Sequence, residues 1–200
     1  MLILSKKENK KHNILFFNSY LGNINLFFID KTIKIPLNIN IYIKKKIIFF
    51  KGPFGILSIK QKNLIIFKYN HQLILILPIK KNKKSILNLF YKLIIIKIKG
   101  IVKKFKLQLI LKGIGFKINI ENNILHLKIG FSHLIKIIIP NNIQIINQNN
   151  NLICSSNNFI ALTQFIYKIR KIKKPEPYKG KGFLLKNEKI LLKEGKKSKK

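Results

Sequence analysis

From Thr32 onward the chain alternates between apolar and polar positions. Ile33, Ile35, Leu37, Ile39, Ile41 and Ile43 fall on every second residue, the period of a strand with one face on a core and the other in water. Pro36 lacks a backbone donor and marks an edge or a strand entry within that run. Lys44, Lys45 and Lys46 predict a charged turn, and residues 47–50 a return strand. Gly52, Pro53 and Gly55 mark the next turn, 56–60 a further strand, and 64–69 and 73–77 two more before Pro78. The pattern predicts a meander of short antiparallel strands.

Residues 83–102 change period. Ile86, Leu89, Phe90, Leu93, Ile94 and Lys97 follow helical spacing, Ser85 stands where an N-cap is expected, and no Gly or Pro intervenes before Gly100. The β-branched run at 93–96 also admits a strand, but the length favours a helix. A second strand set begins at 105–111. Gly113 and Gly115 then allow a bulge or a close backbone approach. They are no nucleotide-binding turn: Ile118 occupies the third glycine position, and 116–120 alternates like a strand. Glu121, Asn122 and Asn123 make a hairpin turn into 124–129, and 134–139 reads as a strand ended by Pro140. Residues 158–172 predict a second helix with Phe159, Leu162, Phe165, Ile166 and Ile169 as its apolar stripe and Asn157 or Asn158 as its N-cap. Residues 183–185 and 190–192 are candidates to close the second sheet.

The stretch Ile35-Pro36-Leu37-Asn38-Ile39-Asn40-Ile41 is echoed by Ile139-Pro140-Asn141-Asn142-Ile143-Gln144-Ile145, and the offset from Pro36 to Gly52 equals that from Pro140 to Ser156. Such self-similarity points to an α+β chain of two similar small domains arising by internal duplication, each a mainly antiparallel sheet packed on one helix. The expected division is an N-terminal extension over 1–30, a first domain over 31–104, a second over 105–192, and a basic tail over 193–200. Phe16, Phe17, Phe27 and Phe28 make the extension too apolar for a free tail; it packs either on the first domain or on a neighbouring protein.

Charge then narrows the function. A formal net charge of +35 is far beyond what solubility needs, and its self-repulsion calls for a polyanionic partner, nucleic acid before an anionic membrane. With 47% hydrophobic residues the chain is not a wholly disordered basic protein. Nearly all the positive charge is lysine, suited to phosphates rather than to bidentate base recognition. Abundant Ile, Asn and Lys also suggest an AT-rich genome, so codon bias inflates the charge. The one cysteine, Cys154, excludes an internal disulfide and a Cys-clustered zinc site. The N-terminus has no clean apolar run of the signal-peptide kind, and the charge-free stretch 137–167 is too rich in Asn, Gln and Ser to span a bilayer.

The chemistry concentrates near the C-terminus. Pro175 and Pro177 stiffen the run PEPYKGKG over 175–182, Gly180 and Gly182 bring backbone N–H groups close to a surface, Lys179 and Lys181 add charge, and Tyr178 offers a ring for a base or sugar. Arg170, Lys171, Lys173 and Lys174 flank it at the helix end. An ordinary solvated turn before a basic tail is the plain alternative. Together with Gly113-Ile114-Gly115-Phe116-Lys117 and Gly130-Phe131-Ser132-His133, in that order and spacing, PEPYKGKG resembles the signatures of ribosomal protein six of the large subunit, in its bacterial and organellar form. The resemblance covers most of the chain. It implies two like α+β domains, no cofactor, no small-molecule substrate, and a structural role on large-subunit rRNA near the factor-binding side, among neighbouring ribosomal proteins. Lys179, Gly180, Lys181 and Gly182 are then the leading rRNA contacts, with Tyr178 packing, the flanking cations beside them, and Ser132 and His133 facing RNA.

Two other classes compete. A non-ribosomal basic RNA-binding or nucleic-acid-processing protein is the alternative; an enzyme on nucleic acid would need a carboxylate cluster for metal-dependent chemistry, and only 6 acidic residues are present, with Glu176 and Glu188 lacking an obvious partner in sequence. A membrane-surface protein would need a broad amphipathic helix, which only 83–102 approaches. The expected compartment is an organellar ribosome, mitochondrial before plastid, with an AT-rich bacterium as the alternative.

Overall fold

The computed structural model describes residues 31–44, 46–60, 65–69, 72–76 and 84–195. The extension 1–30, the strand stop at Pro78 and the last residues of the tail lie outside them. The described chain is α+β, with antiparallel sheets and two helices. In order it runs β1 (Lys31–Lys34), β2 (Asn40–Lys44), β3 (Ile47–Gly52), β4 (Gly55–Lys60), β5 (Ile65–Tyr69), β6 (Gln72–Ile76), α1 (Lys84–Val102), β7 (Phe105–Lys112), β8 (Lys117–Glu121), β9 (Ile124–Lys128), β10 (Ile135–Ile138), β11 (Gln144–Gln148), β12 (Asn151–Ser156), α2 (Phe159–Ile172) and β13 (Gly182–Leu185).

The strands form four sheets, ordered β1-β6-β5, β2-β3-β4, β10-β9-β8 and β11-β12-β7-β13. The first two share a core with α1, in which Ile48, Phe50, Leu87, Ile94 and Ile101 are essentially inaccessible. The last two share a second core with α2, built on Leu109, Leu125, Leu152, Leu162, Ile169 and Phe183. Burying each such side chain favours folding by about 1.5–3 kcal/mol, so the two clusters dominate stability.

The alternation at 33–43 does not make one strand. Pro36 removes a donor, and a turn closed by Ile39 N–H donating to Pro36 O at 3.2 Å splits the run into β1 and β2. Ile35 and Ile39 still reach the core while Leu37 is left exposed. The α1 stripe is also shifted from expectation. Leu87, Phe90, Ile94, Ile98 and Ile101 are buried, whereas Leu89 faces solvent. The unbroken apolar run 93–96 lets the sequence pattern fit either phase, and packing on the sheet decides it.

In the second half the elements follow the sequence closely. Asn122 and Asn123 (φ 47° and 60°) and Asn149 and Asn150 (φ 46° and 66°) form the two-residue hairpins, with the left-handed twist at both turn positions that Asn tolerates. Asn147 Nδ2 donates to Ile118 O at 2.7 Å and Asn150 Nδ2 to Phe116 O at 3.1 Å, tying the two sheets together. At the start of α2, Asn158 occupies the N-cap position without a side-chain cap. Buried Ser156 serves there instead: its Oγ donates to Asn142 O at 2.7 Å and accepts from Asn158 N–H at 3.1 Å. Asn157 reaches the first half, its Nδ2 donating to Phe54 O at 2.9 Å. Of the two candidate closing strands only β13 pairs, along β7; residues 190–192 form no strand.

Candidate nucleic-acid interface

The α2 helix delivers the chain to PEPYKGKG. Its stripe of Leu162, Phe165, Ile166 and Ile169 packs inward, leaving Lys168 and Lys171 on the solvent side. The loop then closes on itself. Gly180 N–H donates to Glu176 O at 3.0 Å, Glu176 N–H to Lys181 O at 2.9 Å, and Phe183 N–H to Lys173 O at 3.0 Å. The following chain crosses back over it, with Lys193 N–H donating to Pro177 O at 2.9 Å. Two prolines fixing φ and four backbone hydrogen bonds leave this corner little freedom.

Gly180 and Gly182 are buried, which changes their expected part. The Gly180 N–H is already engaged inside the loop, and Gly182 (φ 133°) lies against the backbone of Lys173 and Lys174. They shape the corner rather than offer N–H groups to a ligand. Lys174, Tyr178 and Lys179 stand outward, with Lys173 and Lys181 half-buried.

The other motifs converge on this end of the protein. Gly182 pairs with Lys112 in the β13–β7 ladder, which places Gly113-Ile114-Gly115 beside the PEPYKGKG loop. Phe116 lies under Gly113 and Gly130, linking that turn to the 130–133 loop. Phe131 and His133 rings lie 6.3 Å apart, and Lys173 Nζ stands 5.4 Å from the Phe131 ring centre, a cation–π contact joining helix end and loop. Phe131, Ser132 and His133 are all exposed. Three runs far apart in sequence thus form one cationic, partly aromatic surface.

Arg170 does not extend it. Its guanidinium forms an ion pair with Glu188, whose other oxygen accepts from Leu185 N–H at 3.2 Å, and both side chains are about three-quarters covered (26% and 24% exposed). Glu188, expected to be isolated, therefore pins the segment after β13 to α2. Sequence reasoning missed this pair because the partners lie 18 residues apart on elements whose packing no local pattern gives. Lys112 also escaped selection, since only its pairing with Gly182 brings it to the site.

Among the described residues no group of three His, Cys, Asp or Glu side chains is arranged to hold a metal, and no helix is long and apolar enough to cross a membrane. Burial pushes the Cys154 thiol up to about 12, far from nucleophilic use at neutral pH.

These features define a strongly basic α+β protein with one cationic, partly aromatic surface, the class of protein that meets a polyanion. The sequence model of the family described as ribosomal protein L6 matches residues 112–185. The large ribosomal subunit protein uL6 of Mycoplasmoides gallisepticum is 32% identical over 172 residues, spanning 84% of this chain and 94% of that protein. The corresponding protein of Karelsulcia muelleri is 37% identical, over 80% and 93%. The uL6c protein of Phaeodactylum tricornutum is 34% identical, over 84% and 96%. The chain belongs to the uL6 family, and with it to the structural, non-enzymatic proteins of the large ribosomal subunit, for which rRNA binding is typical.

Proposed function

We propose that the chain grips large-subunit rRNA, near the factor-binding region, through the surface formed by residues 112–116, 130–134 and 173–182. The observation that carries this reading is the convergence of the three motif loops around Lys112, Phe131 and Lys173 at one end of the second core. Lys171, Lys173, Lys174, Lys179 and Lys181 neutralise phosphates, Tyr178, Ser132 and His133 meet sugars or bases, and Gly180, Gly182 and Arg170 hold the shape. Recognition is mainly of backbone and form. Replacing Lys179 by Gln should lower the salt slope of rRNA binding by ~0.7–0.9; an unchanged slope removes that lysine from the contact set. Pro177→Gly should weaken binding at fixed salt through lost rigidity.

The two cores support a division into units over 31–104 and 105–192, related by duplication. Shifted by 104 residues, β1, β2 and β3 coincide with β10, β11 and β12. Shifted by 52, β5 and β6 coincide with β8 and β9. The sheet orders match as well, β1-β6-β5 with β10-β9-β8 and β2-β3-β4 with β11-β12-β7. The second unit carries the strand triplets in swapped order, while the helix follows the strand triplets in both units. Expressed alone, residues 105–192 should unfold in one cooperative transition; a fragment that stays unstructured would sink the division. Lysine, Ile and Asn bias supports an organellar ribosome, a mitochondrial one first, and fractionation with an organelle marker tests it.

A further inference from the structure

We infer that the outer face of the β10-β9-β8 sheet is a second phosphate-binding surface, over which an RNA strand continues from the loop cluster; the inference rests on the rRNA-binding reading above. Strand alternation creates the face. Ile118, Leu125, Leu127 and Ile137 point into the core, which sends Lys117, Asn119, His126, Lys128 and Lys136 the other way. With Glu121 and Leu134 these side chains line a depression of about 440 Å³.

The charge on this face is uncompensated. Lys117 stands directly across from Lys128, and Lys136 directly across from His126. The like charges of Lys117 and Lys128 in that position destabilise the sheet, and among the described residues the ion pair is Arg170–Glu188, with none to these lysines. The single acid in the lining is Glu121, at the hairpin end. A folded protein retains such an arrangement at a cost that an anionic ligand removes. Lys117 and Lys136 lie on the strands either side of β9, offset by two residues along it and so roughly 12 Å apart, and these lysine point charges stand at opposite corners of a patch that holds His126 and Asn119. Those two side chains supply hydrogen-bonding groups at the centre, suited to a 2′-hydroxyl or base edge.

RNA fits better than an acidic protein. Of the residues lining the depression only Leu134 is apolar, and the exposed Ile138 of the same face stands apart from it at the hairpin end, opposite Ile124, so the depression itself lacks the clustered aromatic or aliphatic anchors that carry protein interfaces. Leu134 also belongs to the stretch following Phe131 and His133, which makes the face continuous with the loop cluster. A polyanion held at the loops is thereby led onto the lysines.

The test uses the full chain and transcribed large-subunit rRNA in binding isotherms over a salt series. A triple variant, Lys117→Gln with Lys128→Gln and Lys136→Gln, should lower the salt slope by about 2 with no loss of melting temperature. The loop pair Lys179→Gln with Lys181→Gln should lower it by about 1.5 independently. An unchanged slope in the triple variant, with the loop pair still effective, overturns the second surface and leaves the loop reading standing. No change in either overturns both. A photo-crosslinker attached at Asn119→Cys should reach rRNA in the assembled large subunit; adducts with protein alone overturn the proposal in favour of an acidic protein neighbour.

Discussion

Gly182→Ala tests whether the PEPYKGKG corner is held as rigidly as its hydrogen bonds indicate. Gly182 has φ +133°, and a methyl group there would lie 2.6 Å from Lys174 O and 3.0 Å from Lys173 O. The positive φ costs an L residue on the order of 1–2 kcal/mol. The carbonyl contact cannot be relieved by rotating a side chain, because the obstacle is backbone. Either β13 shifts from Lys112 or the Phe183 N–H to Lys173 O bond (3.0 Å) is lost, a further ~1 kcal/mol. The expected destabilisation is about 2–4 kcal/mol. Gly180 supplies the control. Its φ is +67°, and an added methyl would meet Leu192 and Ile190 at an ordinary 3.8 and 3.9 Å. Gly180→Ala therefore carries the backbone term alone, about 1 kcal/mol, and Gly180→Asn should recover most of it because Asn visits that region. Urea denaturation with unchanged m-values separates the three variants by midpoint. If Gly182→Ala proves no more damaging than Gly180→Ala, the corner is loose and the reasoning about its shape fails.

Four further outcomes are expected. Glu188→Gln should destabilise the protein by about 1–3 kcal/mol, because it leaves the largely covered Arg170 guanidinium without its counter-charge. Arg170→Lys should also lower the melting temperature yet leave the salt slope of RNA binding unchanged; a reduced slope would return Arg170 to the contact set. Cys154 should resist iodoacetamide at pH 8 until urea unfolds the second core, since its thiol is pushed up to about 12. A raised folded value makes its contribution whole below the ordinary 9.0 and progressively lost as pH climbs toward 12, and labelling of the native protein at neutral pH would contradict its burial. Burial holds the Lys97 ammonium below its usual 10.5, so the charged form is penalised at neutral pH. Stability at this site should rise as pH climbs through the lowered value toward 10.5. Lys97→Met should raise the melting temperature at pH 7 and abolish that rise, which thermal melts over pH 7–11 would show.

The residues legible from sequence were those whose signal is local. Period-two alternation found most strands, the Asn122-Asn123 pair found the hairpin between β8 and β9, and Pro and Gly punctuation found PEPYKGKG. What failed needed a partner from elsewhere. The helical phase of α1 was decided by the sheet beneath it, and the breaks at Pro36 and after Leu185 by where pairing stops. The burial of Gly180, Gly182 and Arg170 was hidden for the same reason: exposure was expected from residue type, whereas a carbonyl at 174 and a carboxylate at 188 determine it. The corrections strengthen the functional reading. A corner whose glycines and arginine all face inward presents its lysines and Tyr178 on a fixed frame, and preorganised cations lose less entropy on meeting phosphate than cations on a mobile loop. The high charge alone would give salt-sensitive, indiscriminate binding. On the proposed rRNA-binding reading, the buried part of the motif fixes the shape that the exposed part presents to RNA.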